Sequence, residues 1–255
     1  MLGERCKSSG KGDYHVTAMT SKLANTPALV GGRVLQATFR VAAHLRSSKP
    51  LHPNGVLLRG WLDCPGTDQP TGVPWVDGTA QIPYVARISR AVGTAAPLPD
   101  IPGLALRWQY GGRQCDLLFA GTGLGRANRF VLVPRRSILG GAMTTLFPLS
   151  SPRGPLLFAV TPGPGAPQCS STAELVGVVA TRPLTMTLSY AGLGGPWTRF
   201  ATLVLDGTVD DSNTDPVLRF HPVSATPVGL HQYEVLERLR RGAYVGARAG
   251  YPTSD

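Results

Sequence analysis

Long apolar runs are missing from this 255-residue chain: none approaches the roughly 18 residues that a membrane-crossing helix needs. The opening residues, MLGERCKSSGKGDYHV, lack the apolar centre of a secretion signal, so an unexported, cytoplasmic protein is expected. Residues 1–20 read as a disordered leader, and Met19 is available as a first residue as well as Met1. Cysteines are few. Cys6, Cys64, Cys115 and Cys169 are scattered, with no Cys-x-x-Cys or Cys/His zinc spacing, so reduced thiols are expected. Charge is sparse, at 16% of residues. The balance is basic, +10, yet only Arg238, Arg240 and Arg241 cluster. That spread argues against nucleic acid as a partner and suits a small anionic one, such as a fatty-acid carboxylate.

What the chain has in abundance is glycine (31) and proline (23), which favours many short strands and turns over long helices. Alternation marks strands at Gly55–Gly60, Ile82–Ser89, Gly103–Trp108 continuing to Asp116, Arg129–Pro134 and Gly154–Val160. Leu184–Tyr190 and Thr198–Leu205 form a hairpin joined by Ala191–Pro196. Residues 61–80 and 161–171 read as loops, and Leu35, Phe39, Ala42 and Ala43 mark a packing helix within 20–46. Eight to ten short strands without βαβ alternation predict a closed antiparallel barrel, since closure removes exposed edges. A single domain over 21–255 is expected.

Two loops invite and fail motif tests. Gly121-Thr-Gly-Leu-Gly125-Arg126 is glycine-rich, but a strand rather than a helix is expected after it, so a turn is the better reading than a phosphate cradle. Asp206 to Asp215 is acidic, but its spacing is not that of a calcium loop.

Near the end, Tyr233, Leu236, Leu239 or Arg240, and Ala243 or Tyr244 recur at three- and four-residue steps, predicting a helix after the Pro227-Val-Gly229 turn. Arg240 and Tyr244 stand four apart, so guanidinium and phenol lie side by side. A cation there favours the phenolate, which is a ligand for ferric iron. The spacing alone equally fits an ordinary surface helix.

Phe220-x-Pro222, the following turn and Arg240-x-x-x-Tyr244 together resemble the proximal haem segment of the catalase family. Lys49-Pro-Leu51-His52 before a Gly-containing strand resembles that family's Arg-x-x-His, with Lys49 in place of the Arg. Ala86-Arg87-Ile-Ser89 resembles its Val-Arg-Phe-Ser strand, and Asp100-x-x-Gly103-Leu-Ala-Leu-Arg107 its Asp-x-x-Gly-Phe-Ala-Val-Lys run, with a matching interval to Asp116-Leu117. The resemblance covers residues 45–130 and 217–248, with a shortened middle like that of compact catalase-like and allene-oxide-synthase-like proteins.

The resemblance implies a mainly β protein, a catalase-type barrel with an N-terminal helix and a C-terminal helix carrying the proximal Tyr. It implies haem b, with Tyr244 as the iron ligand, Arg240 supporting it, and His52 as the distal acid–base. Lys49, Arg87 and Arg248 would meet the propionates, with Leu51, Ser89 and Phe130 lining the group. Implied partners are a hydroperoxide and a reductant, and homo-oligomerisation is left open. Where the family carries a distal Asn this chain has Ala120, which donates no hydrogen bond. Loss of one such preorganised donor raises a barrier by about 3 kcal/mol, which favours organic or lipid hydroperoxides over efficient dismutation of hydrogen peroxide. The alternative is a barrel that kept the fold without haem and binds lipids or another protein.

Overall fold

A computed structural model describes residues 55–209, 218 and 220–234. The expected leader (1–20), the N-terminal helix (20–46), Lys49, Leu51 and His52 lie outside the described residues, as do Arg240, Tyr244 and Arg248.

Nine strands follow one another along the chain: β1 (Gly55–Pro65), β2 (Thr79–Arg90), β3 (Pro102–Tyr110), β4 (Arg113–Gly121), β5 (Met143–Thr144), β6 (Leu149–Ser151), β7 (Gly154–Pro162), β8 (Leu184–Ala191) and β9 (Thr198–Thr208). They pair in the order β5-β4-β3-β2-β1-β9-β8-β7, and β5 pairs again with β7. Eight strands thus close into an antiparallel barrel, with β6 added alongside β7. This is the architecture that the strand count and the need to hide edges dictate.

Period-two alternation decides which side chains fill the barrel. Leu58 and Leu62 of β1, Ile82, Tyr84, Ala86 and Ile88 of β2, Leu104, Leu106 and Trp108 of β3, and Cys115, Leu117 and Phe119 of β4 are all buried. A short helix, α1 (Pro74–Asp77), brings Trp75 to them. Its ring centroid lies 5.1 Å from that of Trp108, and 5.5 Å from those of both Phe158 and Phe200. A register shift at Arg59/Gly60 brings β9 so close that a Cβ on Gly60 would stand 1.8 Å from the Val204 carbonyl oxygen. That oxygen accepts a 2.7 Å hydrogen bond from the Tyr84 hydroxyl, so the bulge keeps its polar groups paired. Cys64, Cys115 and Cys169 are buried and free.

Three expectations are corrected. β1 does not stop at Gly60 but runs to Pro65, because Leu62 and Cys64 keep the inward alternation through a stretch rich in turn formers. The supposed strand Arg129–Pro134 begins instead as a 3₁₀ turn, Asn128–Phe130, followed by single bridges at Leu132 and Arg135. Arg129 causes this. It is buried and donates to the carbonyls of Gly125, Gly192 and Gly195 at 3.1–3.2 Å, which folds the chain back on itself. The third correction is a hairpin, where the continuous run to Asp116 is broken by Gly111 and Gly112, both at positive φ (56° and 73°). Such a glycine pair suits a tight turn between twisted strands. The sequence reading also passed over α2 (Thr172–Thr181), which packs on β9.

Candidate functional site

The barrel's interior is filled, and of the described residues that carry the resemblance Arg87, Ser89, Gly103, Arg107, Asp116 and Ala120 lie on the outer face of β2–β4. Register defines three rows across this face and β1. The first is Gly55, Ser89, Gly103 and Ala120. The second is Leu57, Arg87, Ala105 and Leu118, and the third Arg59, Val85, Arg107 and Asp116. The first row is made of small residues throughout, and in the second Ala105 alone is small, beside Leu57, Arg87 and Leu118. The first row's glycines are close-approach positions: a Cβ on Gly55 would lie 2.4 Å from the Arg87 guanidinium carbon, and one on Gly103 3.3 Å from Ser89 Oγ.

Two residues named from sequence, Arg87 and Ser89, therefore stand on this face two positions apart on β2. Ser89 is buried, while Arg87 is half-buried and lies across Gly55. Burial pushes the Arg87 guanidinium below its usual range, which marks a cation held out of bulk water. Phe130 lies off the strands, in the 3₁₀ turn past the end of β4. Its neighbour Arg129 accepts a 2.9 Å hydrogen bond from Thr144, the β5 partner of Ala120.

The third row carries residues that the sequence reading missed as site-builders. Arg107 donates through Nε and Nη2 to the two carboxylate oxygens of Asp116, at 2.7 and 2.6 Å. Asp116 also accepts from the His221 backbone N–H at 2.6 Å, and its own N–H donates to Ala225 at 2.7 Å. Arg107 lies 4.8 Å above the Phe220 ring. One fully buried carboxylate thus fastens the Phe-x-Pro segment to the face that carries Arg87 and Ser89. The signal was in the sequence. Arg107 and Asp116 are equidistant from Gly111–Gly112, so a hairpin centred there must set opposite charges side by side.

Beyond that clamp the chain turns at Val228–Gly229, with Gly229 at φ 82°, and Leu230 N–H donates 3.0 Å to Pro227. Glu234, the last described residue, is helical. Among the described residues no group of His, Cys, Asp or Glu forms a metal site, and no helix is long and apolar enough to cross a membrane.

No family model matches this chain, and no curated protein matches it by sequence. Solved structures do match it. Catalase A from Saccharomyces cerevisiae superposes with a TM-score of 0.58 at 11% identity, covering 82% of this chain and 63% of that one. A fungal catalase gives 0.56 at 12% identity, covering 82% and 61%. A bacterial catalase gives 0.53 at 12% identity, covering 99% and 71%. The chain spans under two thirds of the length of the first two. At these identities the likeness establishes the fold: this is a catalase-type barrel.

Proposed function

We propose that this chain is a compact, haem-binding hydroperoxidase, built as one domain over residues 21–255. The observation that carries the reading is the outer row of Gly55, Ser89, Gly103 and Ala120, with Ala105 beside it, edged by the half-buried cation of Arg87. A row of small side chains beside a half-buried cation fits a broad planar group bearing carboxylates. The Asp116 clamp supports it further, by holding the segment that leads to Arg240 and Tyr244 against the same face.

When bound, haem would supply the iron that polarises and splits the O–O bond. Tyr244 would hold it through a phenolate that the Arg240 cation stabilises. Arg87, Lys49 and Arg248 would pair with its carboxylates, Arg87 with a bidentate fork that Lys49 lacks. Leu51, Ser89 and Phe130 would line it. His52 would take the proton from one peroxide oxygen and return it to the other, as a general acid–base. Ala120, half-buried at the end of the row, offers a methyl group where a donor would hold hydrogen peroxide. A substrate with an apolar tail gains binding energy elsewhere, so organic or lipid hydroperoxides are the proposed substrates, with a separate reductant.

The test is colour. Protein purified from haem-sufficient cells should show a Soret band that Tyr244→Phe shifts or removes, and should turn over a fatty-acid hydroperoxide faster than hydrogen peroxide. A colourless protein that gains no band on adding haemin would leave only the fold.

A further inference from the structure

We propose that the cleft between the β3–β4 turn and the segment 223–232 binds a phosphate group, free or carried by a small metabolite. The cleft measures about 230 Å³. That is below the roughly 300–1,000 Å³ of sites that enclose a drug-sized ligand, so its occupant is small. It lies away from the row of Gly55, Ser89, Gly103 and Ala120. Gly103 and Ala120 pair at one end of the β3–β4 hairpin, Tyr110 and Arg113 at the other, about 20 Å along the strand. Binding there therefore requires no haem.

One wall of the cleft is a segment that turns its apolar side chains inward. Pro227 and Leu230 are buried and Val228 packs against the core, while Ser224 and His231 are exposed. At the left-handed Gly229, a Cβ would stand 2.8 Å from Pro74 Cδ, so glycine alone lets the segment sit this close to α1. The wall is pinned on both sides. Asp116 N–H donates 2.7 Å to the Ala225 carbonyl, and the His231 backbone exchanges 2.8 and 2.9 Å hydrogen bonds with Ser150. Thr226 Oγ1 and Gln232 Nε2 both donate to the Pro222 carbonyl, at 2.9 and 3.0 Å, which knits the segment to itself. A wall fixed in this way needs little further ordering when a ligand binds.

What remains are donors without acceptors. Arg113, on the facing wall, makes no hydrogen bond or ion pair through its guanidinium with any described residue. The Gly229 N–H and the Ser224 hydroxyl have no acceptor among the described residues either, and His231 adds an imidazole. Among the described residues no carboxylate lines the cleft, and Asp116, the acid nearest Arg113 along the chain, is buried against Arg107. Charge of one sign with a planar fork selects an anion. A guanidinium on one wall facing a hydroxyl, an imidazole and an N–H on the other suits a tetrahedral oxyanion better than a two-oxygen carboxylate.

The experiment is titration calorimetry of the full chain with inorganic phosphate, glycerol phosphate and acetate at constant ionic strength. Both phosphates should bind at least tenfold tighter than acetate. Tighter binding of glycerol phosphate assigns the cleft to an esterified phosphate and tighter binding of inorganic phosphate to the free ion, and either upholds the proposal. Arg113→Ala should weaken binding at least tenfold, and Arg113→Lys, which keeps the charge without the fork, several-fold. Ser224→Ala, on the opposite wall, should also weaken it several-fold, so the result does not hang on one position. Arg182→Ala, an exposed arginine at the end of α2, should change nothing. Absent binding, acetate bound as tightly as phosphate, or affinity undiminished in Arg113→Ala overturns the proposal. So does an equal loss in Arg113→Ala and Arg182→Ala, which marks a general attraction of anions to a basic protein.

Discussion

Asp116 does two jobs with one side chain, and its removal should show both. It is buried, it neutralises Arg107, and it receives the His221 N–H. Asp116→Asn leaves a largely buried guanidinium without its counter-charge, which costs about 3 kcal/mol or more. Thermal unfolding should therefore move down by many degrees, while Asp116→Leu combined with Arg107→Leu should recover part of the loss. A double variant no more stable than Asp116→Asn would show that the carboxylate's hold on His221 matters more than the ion pair. That same residue shows what the sequence hides. The pairing of Asp116 with Arg107 was within reach of a hairpin reading centred on Gly111–Gly112, but its hold on His221 comes from a segment over a hundred residues away, which no local pattern encodes.

At the scale of the element, alternation was readable and termination was not. Strand β2 follows from period-two patterning, whereas β7, buried on both faces from Leu156 to Val160, and much of β8 and β9 follow as short apolar runs. β1 was cut short because Asp63 and Pro65 look like turn residues when their outward direction is unknown. The helix Thr172–Thr181 lay unread although its start is marked. Ser171 accepts from Glu174 N–H at 3.2 Å, and the Glu174 carboxylate returns to Ser170 N–H at 2.8 Å and to its hydroxyl at 2.7 Å. Those hydrogen bonds hold the Glu174 carboxyl below its usual range. Ser171→Ala should cost about 1 kcal/mol. Denaturant unfolding should register it as a lower midpoint with an unchanged slope, and an unchanged midpoint would mean that β9 packing alone holds the helix.

For the molecule as a whole, a closed barrel separates what keeps it folded from what it binds. The core is inside, around Trp75, Phe158 and Phe200, while the proposed site is on the outer face of β1–β4. The two should therefore fail independently under substitution. Phe158→Ala opens a cavity among fully buried rings, and a change of that kind costs about 3–5 kcal/mol wherever it occurs in a core. Gly103→Val tests the opposite case. Gly103 has no positive φ, the nearest atom to an added Cβ is the Ser89 hydroxyl at 3.3 Å, and that hydroxyl can rotate aside. A β-branched residue also suits a strand, so thermal stability should stay within about 1 kcal/mol of the parent. Yet the valine would stand up from the middle of the row on which the proposed planar group would lie flat. Haemin titration followed at the Soret band should then show at least a tenfold weaker affinity in Gly103→Val, with the circular dichroism spectrum unchanged. If Gly103→Val binds haemin as tightly as the parent, that row is not where haem lies.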